Sequence, residues 1–496
     1  MKIYTLLYLK NLLVKPETNP TKVIYAFGFS LIVAYFLSIL LLVNKDKISW
    51  ALPYEHWLQD IMFTYLHIPA KETINGHHDI PTSVIAFDDY SYQKTGRPSQ
   101  IPREEIANII ASLTDGKSPT KNARFLALDI DLSANSSGLV TSFSRHDEKI
   151  SSALKGTEAS QLLVFLSRSF AYPIELNNAQ QIASTRSNNK LPYWDPAWID
   201  SLVENQNNVF FTSTNYLASS DAVRRKFSHS EFVCKNDVIH WIPAMSLLLA
   251  SAKLNEEKHT NKEIIEHLES QINLINEQVS QVKCSDFEKR PKLTYESFCK
   301  LNNQCIESFQ LDIEGLHNVH LTSEFSRFYF ETYPPEKGTQ SNIRMFSMKN
   351  VNESGWYNQL PISSTLLLGA TYTNSQDYHS VPGYPVTIPG IYLIVNSTSS
   401  ITKYPSQQHA PLLVHAIFYL CLYLVLFGLF LKSESSLFSL IAIPALLALH
   451  LAVSICVSHW GYHFIIFIPE TMISVLILVF DVIPIATSYI SKRFRE

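Results

Sequence analysis

Acidic residues close two short apolar runs in this chain of 496 residues. Ser83-Val84-Ile85-Ala86-Phe87 ends in Asp88 and Asp89, and Arg124-Phe125-Leu126-Ala127-Leu128 ends in Asp129. Runs of this kind read as buried strands, and open α/β sheets turn their strand-end side chains toward ligands. Arg103 opens the helical pattern that follows the first run and is placed to pair with these acids. Asp221 with Arg224 makes a second acid–base group, with Arg225 beside it, and Asp377 lies in a Tyr/Thr/Asn loop that can line the same crevice. For the cluster Asp88, Asp89, Arg103, Asp129, Asp221, Arg224 and Asp377, two readings stand open: ion pairs that fix turns, or contacts to a ligand. A catalytic carboxylate pair has less support, because no nucleophile motif, Gly-x-Ser-x-Gly elbow or metal-ligand spacing accompanies it. His77-His78-Asp79 has metal-ligand residue types but reads as a solvated loop. The expectation is a protein without catalytic residues, metal or cofactor.

The elements around these residues include four long apolar runs. Residues 23–43, 411–431, 437–457 and 464–487 are each about 31 Å or more as helices at ~1.5 Å per residue, enough to cross a bilayer. Residues 44–410 between them are polar-patterned. Lys2, Lys10, Lys15 and Lys22 precede the first run, Lys432 follows the second, and Lys492, Arg493 and Arg495 follow the last. Ser458 to His463, between the third and fourth runs, has no Lys or Arg. Positive charge stays on the cytoplasmic side, so residues 1–22 and the tail 488–496 are expected inside and 44–410 outside. The first run is longer than a secretory h-region and has no small-x-small cleavage site, so it reads as an uncleaved anchor.

Among the polar residues inside these runs, His450, Glu470 and Asp481 are singled out as costly. An acid near a bilayer centre costs roughly 2.5–3.5 kcal/mol, so such residues are expected to be paired within the bundle or to serve a proton or ion path. His450 and Glu470 lie at matching depths and are expected to meet. The net charge of −4 favours no acidic or basic partner, and no basic run interleaved with aromatics suggests nucleic acid.

Of the six cysteines, Cys421 and Cys456 lie in apolar runs, while Cys234, Cys284, Cys299 and Cys305 lie in the exported part. In an oxidising compartment these can form two bridges in three connectivities. Cys299 with Cys305 is the local choice, which leaves Cys234 with Cys284; free buried thiols are the alternative.

Short apolar runs alternate with helical patterns through the exported part, and a mixed α/β sheet covered on both faces follows. Strands are expected at 83–88, 124–130, 161–166, 208–214, 327–332 and 365–370, with 391–396 as a candidate last strand. Helices are expected at 103–113 and 242–254. Within 261–283, Ile265, Leu268, Ile272, Ile275, Val279 and Val282 repeat at the 3-4-3-4-3 spacing of a coiled-coil seam. That helix either packs on its own domain or pairs with a second copy or partner helix through this seam.

The order of these motifs resembles the type-two CHASE domain, an extracytoplasmic sensory module associated with bacterial cyclases and histidine kinases. Trp57-Leu58-Gln59-Asp60 is similar to its opening helix, Val84 through Asp89 to its strand with a double acid, and Gly96-Arg97-Pro98 through Arg103 to its Pro-rich turn. Ala123 through Ile130 resembles its second strand, and Ser220-Asp221-Ala222-Val223-Arg224-Arg225 its acid-x-Val-Arg-Arg segment. Leu366 through Thr371, Asp377 and Pro389-Gly390-Ile391 resemble its final strand, polar loop and Pro-Gly start. Departures are the missing Trp residues of the turn, Ala222 in place of Gly, and Tyr392 and Ile394 where the family has Glu-x-His. Relatives usually continue past the last span into a catalytic domain, whereas here only Ser488–Glu496 follow.

The resemblance implies a bacterial inner-membrane sensor or adaptor. It would recognise a ligand or protein in the periplasm and signal to a separately encoded partner. The alternatives are a docking subunit of an envelope complex and, with less support, a periplasmic enzyme using the strand-end acids.

Overall fold

A computed structural model describes residues 31–40, 82–98, 101–114, 123–133, 145–170, 191–214, 216–218, 224–256, 259–289, 316–318, 343–354, 365–373, 375, 377–380, 387–403, 408–409, 412–432 and 462–463. The chain forms two compact units, Ala70–Ser406, and Met1–Pro69 with Gln407–Glu496.

In the larger unit the strands are β1 (Thr82–Phe87), β2 (Phe125–Asp129), β3 (Leu163–Ser167), β4 (Val209–Thr212), β5 (Tyr216–Ala218), β6 (Arg224–Ser228), β7 (Ser230–Lys235), β8 (Val238–Pro243), β9 (Leu316–Asn318), β10 (Ile343–Ser347), β11 (Thr365–Ala370), β12 (Tyr378–His379) and β13 (Ile388–Pro389). Its helices are α1 (Asp89–Lys94), α2 (Arg103–Thr114), α3 (Arg145–Ser160), α4 (Trp198–Glu204), α5 (Met245–Asn255), α6 (Asn261–Val279), α7 (Met348–Ser354) and α8 (Gly390–Lys403).

Six of the described strands form one sheet in the order β10-β1-β11-β2-β3-β4, and every pairing in it is parallel. Because side chains alternate along a strand, each strand feeds two cores. Val84, Ala86, Phe125, Ala127, Phe165 and Leu367 pack on one face with residues of α5, α6 and α8. Ile85, Phe87, Leu126, Leu128, Leu166 and Leu368 pack on the other with residues of α2, α3, α4 and α7. Both faces are covered, which is why the strands read as unbroken apolar runs rather than alternating ones.

Smaller pieces flank this sheet. β7 and β8 form an antiparallel hairpin whose turn, Asn236-Asp237, has both φ angles positive (54° and 63°). That two-residue geometry favours Asn and Asp. β5, β6 and β9 make a three-stranded sheet. A disulfide joins Cys234 of β7 to Cys284, at a Cα–Cα distance of 5.8 Å.

One expectation changes, and one alternative left open is decided. Residues 391–396 are not a strand: they open α8, where Thr398 Oγ1 donates to Ile394 O (2.7 Å) and Ser400 Oγ to Asn396 O (2.8 Å). An apolar run buried on all sides carries no period to separate strand from helix, and the Ser/Thr stretch after it is stabilised by these back-bonds. The seam of α6 faces inward. Leu268, Ile275 and Val279 have no exposed surface, Ile265 is 8% exposed, and Ile272 packs against the same cluster. The residues proposed for a homodimer contact therefore serve the domain's own core.

The expected helix at 242–254 starts later, since Ile242 and Pro243 belong to β8. The proposed strand 327–332 lies outside the described residues, as do His77-His78-Asp79, Asp221, Ala222, Cys299, Cys305 and Cys456.

In the smaller unit, residues 31–40 and α9 (Leu412–Lys432) are helical, and β14 (Gln408–His409) pairs with β15 (Tyr462–His463). Ser38 Oγ and Tyr423 OH share a hydrogen bond of 2.8 Å, and the Tyr35 and Tyr423 rings meet edge-on. Phe36 and Leu413 are turned outward, 65% and 70% exposed. Among the described residues no helix is long and apolar enough to cross a membrane. The runs 437–457 and 464–487, with His450, Glu470 and Asp481, lie outside the described residues.

Candidate functional site

The carboxyl ends of β1, β11 and β2 are neighbours in the sheet, and the strand-end acids gather there. Asp88 leaves β1 as the N-cap of α1: its Oδ1 accepts from Ser91 N at 2.9 Å and from Ser347 Oγ at 2.8 Å. It is buried, and it ties the exits of β1 and β10 together. These bonds give Asp88 a structural task.

Asp89, one residue on, is exposed and reaches across to the loop after β11. Its Oδ1 accepts from Thr373 N and its Oδ2 from Thr373 Oγ1, both at 2.9 Å. The same loop is steadied by Tyr378, whose hydroxyl donates to Thr371 O at 2.5 Å. Tyr92 of α1 and Tyr372 stack with ring centroids 4.5 Å apart. Burial, and then Asp89 and Asp377, push the Tyr378 hydroxyl pKa up, while burial followed by Tyr92 does the same for Tyr372.

Asp129 is the last residue of β2 and lies opposite Gly369 of β11. A Cβ at Gly369 would stand 2.7 Å from Ile391 Cδ1 and 3.2 Å from Asp129 Cβ, so glycine lets β11 pass beneath α8 and beside the acid. Asp129 as a residue keeps some solvent contact, but its Oδ2 is sealed, and no hydrogen-bond donor among the described residues reaches it. Burial first, and the charge of Asp377 second, push its pKa well above the carboxylate range.

Asp377 lies at the start of α8. Gly390 N donates to Asp377 O at 2.8 Å, and a Cβ on Gly390 would come within 2.3 Å of Asp377 Oδ2. The carboxylate thus rests on the first turn of α8, where the helix dipole favours negative charge. His379 Nε2 lies 2.8 Å from Asp377 Oδ1.

A family model described as CHASE2 domain matches residues 31–432. The chain belongs to the CHASE2 domain family. No curated protein and no solved structure matches it significantly. CHASE2 domains are extracellular sensory domains of mixed α/β fold, in agreement with the sheet described above.

Within this CHASE2 domain the structure brings Asp88, Asp89, Asp129 and Asp377 to one edge. Arg103 lies buried with its Nε 3.8 Å from Asp147 Oδ1, and it feels Asp131 electrostatically as well. Burial pulls its pKa down and those two acids oppose the shift; the pair joins α2 to α3. Arg224 falls on β6, away from the parallel sheet in sequence pairing, and its side chain is not among those described. Sequence reasoning missed Thr373, Tyr378 and His379, and it read Gly390 only as part of a Pro-Gly strand start. Only the glycine after Pro389 carried a usable signal, a helix start without side chain. For metals, Cys234, Asp237 and Cys284 lie within 4.8 Å of one another, but both sulfurs are spent in the disulfide.

Proposed function

We propose that the protein is a multi-pass bacterial inner-membrane sensor or adaptor. Its CHASE2 domain reads a stimulus outside the cytoplasm, without catalysis of its own, and signals to a separately encoded partner. The observation that carries the reading is the convergence of Asp89, Asp129 and Asp377 at the carboxyl edge of three adjacent parallel strands, with a sealed carboxyl oxygen among them. Sites on open α/β sheets lie at this edge. The Cys234–Cys284 bridge fits an oxidising compartment. The uncharged apolar run 411–431, about 31 Å long as a helix at ~1.5 Å per residue, has the sequence of an anchor. The apolar runs 23–43, 437–457 and 464–487 would complete the anchor.

The test is covalent cross-linking in intact cells, followed by purification of the whole chain and identification of what is attached. Recovery of a signalling protein with a cytoplasmic catalytic domain, in amounts that change in an Asp89→Ala variant of normal abundance, supports the reading. Recovery of the chain alone, or of envelope components insensitive to the site variant, sinks it and favours a docking subunit.

A further inference from the structure

The acid pair at the edge of the sheet can do more than hold a ligand. Asp129 Oδ2 is sealed and unpartnered among the described residues, and a second carboxylate, Asp377, lies close enough to act on it electrostatically. A buried carboxyl beside a like charge satisfies itself most cheaply by keeping a proton. Asp377 in turn rests on the first turn of α8, touching the position a Gly390 Cβ would fill.

We propose that Asp129 and Asp377 form a proton-operated latch on the start of α8. With Asp129 protonated, one charge faces the helix N-terminus and the contact is closed. When the O–H bond of Asp129 breaks and its proton passes to solvent, two carboxylates face each other, and the Asp377 loop moves off Gly390. α8 ends at Lys403 and the chain enters α9 at Leu412, so a shift of α8 has a short covalent path toward that helix.

Other groups set the balance. Asp377 faces Asp129 from the loop after β11, and His379 of β12 holds Asp377. Tyr378 of β12 lies within electrostatic reach of Asp377 and of Asp89 at the start of α1. Asp131, on the exit of β2, is engaged by Ser133 N at 2.8 Å and by the field of Arg103 from α2, which also pairs with Asp147 of α3. The first turn of α8 brings no acidic side chain, and β11 brings Gly369.

This latch deepens the sensory reading by naming hydrogen ions as the stimulus at the same crevice, and it rests on that reading. The experiment uses the full chain in detergent. Infrared difference spectra are recorded across pH, together with hydrogen exchange of peptides covering Gly390–Asn396, corrected for intrinsic rates. The expected result is a protonated-carboxyl band that persists above the ordinary carboxylate range and is lost as the pH rises further, together with protection of the α8 amides. In Asp129→Asn the band is absent and α8 stays protected throughout. In Asp377→Asn the band survives but is lost at lower pH than in the parent, which decides the matter even if Asp129→Asn does not fold. No band in the parent above the ordinary carboxylate range, a band that persists in Asp129→Asn, or a titration unmoved in Asp377→Asn overturns the latch. Each of those failures leaves partner recovery in cells unaffected, so the sensory reading stands or falls separately.

Discussion

The carboxylate of Asp377 occupies the space that a side chain on Gly390 would need, with Oδ2 2.3 Å from where the Cβ would be. A polar loop and the start of a buried helix are therefore fitted to one another, and neither can change size alone.

Gly390→Ala should displace Asp377 and destabilise the domain by about 1–3 kcal/mol, the range for overpacking a fitted site. Chemical denaturation of the two chains measures this. Adding Asp377→Ala should recover part of the loss, because the clashing group is gone; simple additivity would show that the contact is not the cause.

Stability should fall with rising pH through Asp129. Folding raises this carboxyl's pKa above its ordinary 3.8, so the folded state holds a proton that the unfolded chain releases. Its contribution is full below the ordinary value and is lost as pH climbs through the raised one. Urea midpoints followed from acid to alkaline pH should show that decline, and Asp129→Asn should flatten it. An equal slope in both chains would show that the decline originates elsewhere.

Leu268→Ala should cost about 2–5 kcal/mol, as for a large-to-small change in a core. Leu268 has no exposed surface and belongs to the cluster under α5 and α8. Sedimentation should find the same oligomeric state in both chains. A change of mass without a change of unfolding midpoint would restore the seam as a contact between copies.

Much of the sheet was legible because its strands are buried on both faces. Thr365–Ala370 appears in the structure with the bounds read from sequence, and Val84–Phe87 and Phe125–Leu128 fall inside the expected strands. Ile391–Asn396 was not legible, since an apolar run enclosed on every side looks the same as strand or helix. The heptad spacing of α6 was correctly seen as helical, but spacing alone cannot say what covers an apolar stripe; here α6 shares a core with α5, α8 and the sheet. The strand-end acids were visible as residue types. Their division of labour was not: Asp88 caps α1, Asp89 holds Thr373, and Asp129 faces Asp377, relationships set by loops whose conformation no periodicity encodes.

Removing the bridge between Cys234 and Cys284 should destabilise the domain by about 2–5 kcal/mol, because a loop with a sequence separation of 50 is then free in the unfolded chain. Thermal unfolding with and without reductant reads this directly. Cys234→Ser should match the reduced parent and gain nothing further from reductant.

The placement of the domain outside the cytoplasm underlies the whole account, and labelling of Tyr193→Cys tests it most directly. Tyr193 is 48% exposed, so a thiol there is open to a membrane-impermeant maleimide. In spheroplasts with a sealed inner membrane, the variant should label fully before lysis and the parent chain should give only its background. Labelling that appears only after the membrane is broken would put the domain inside the cell and contradict the account.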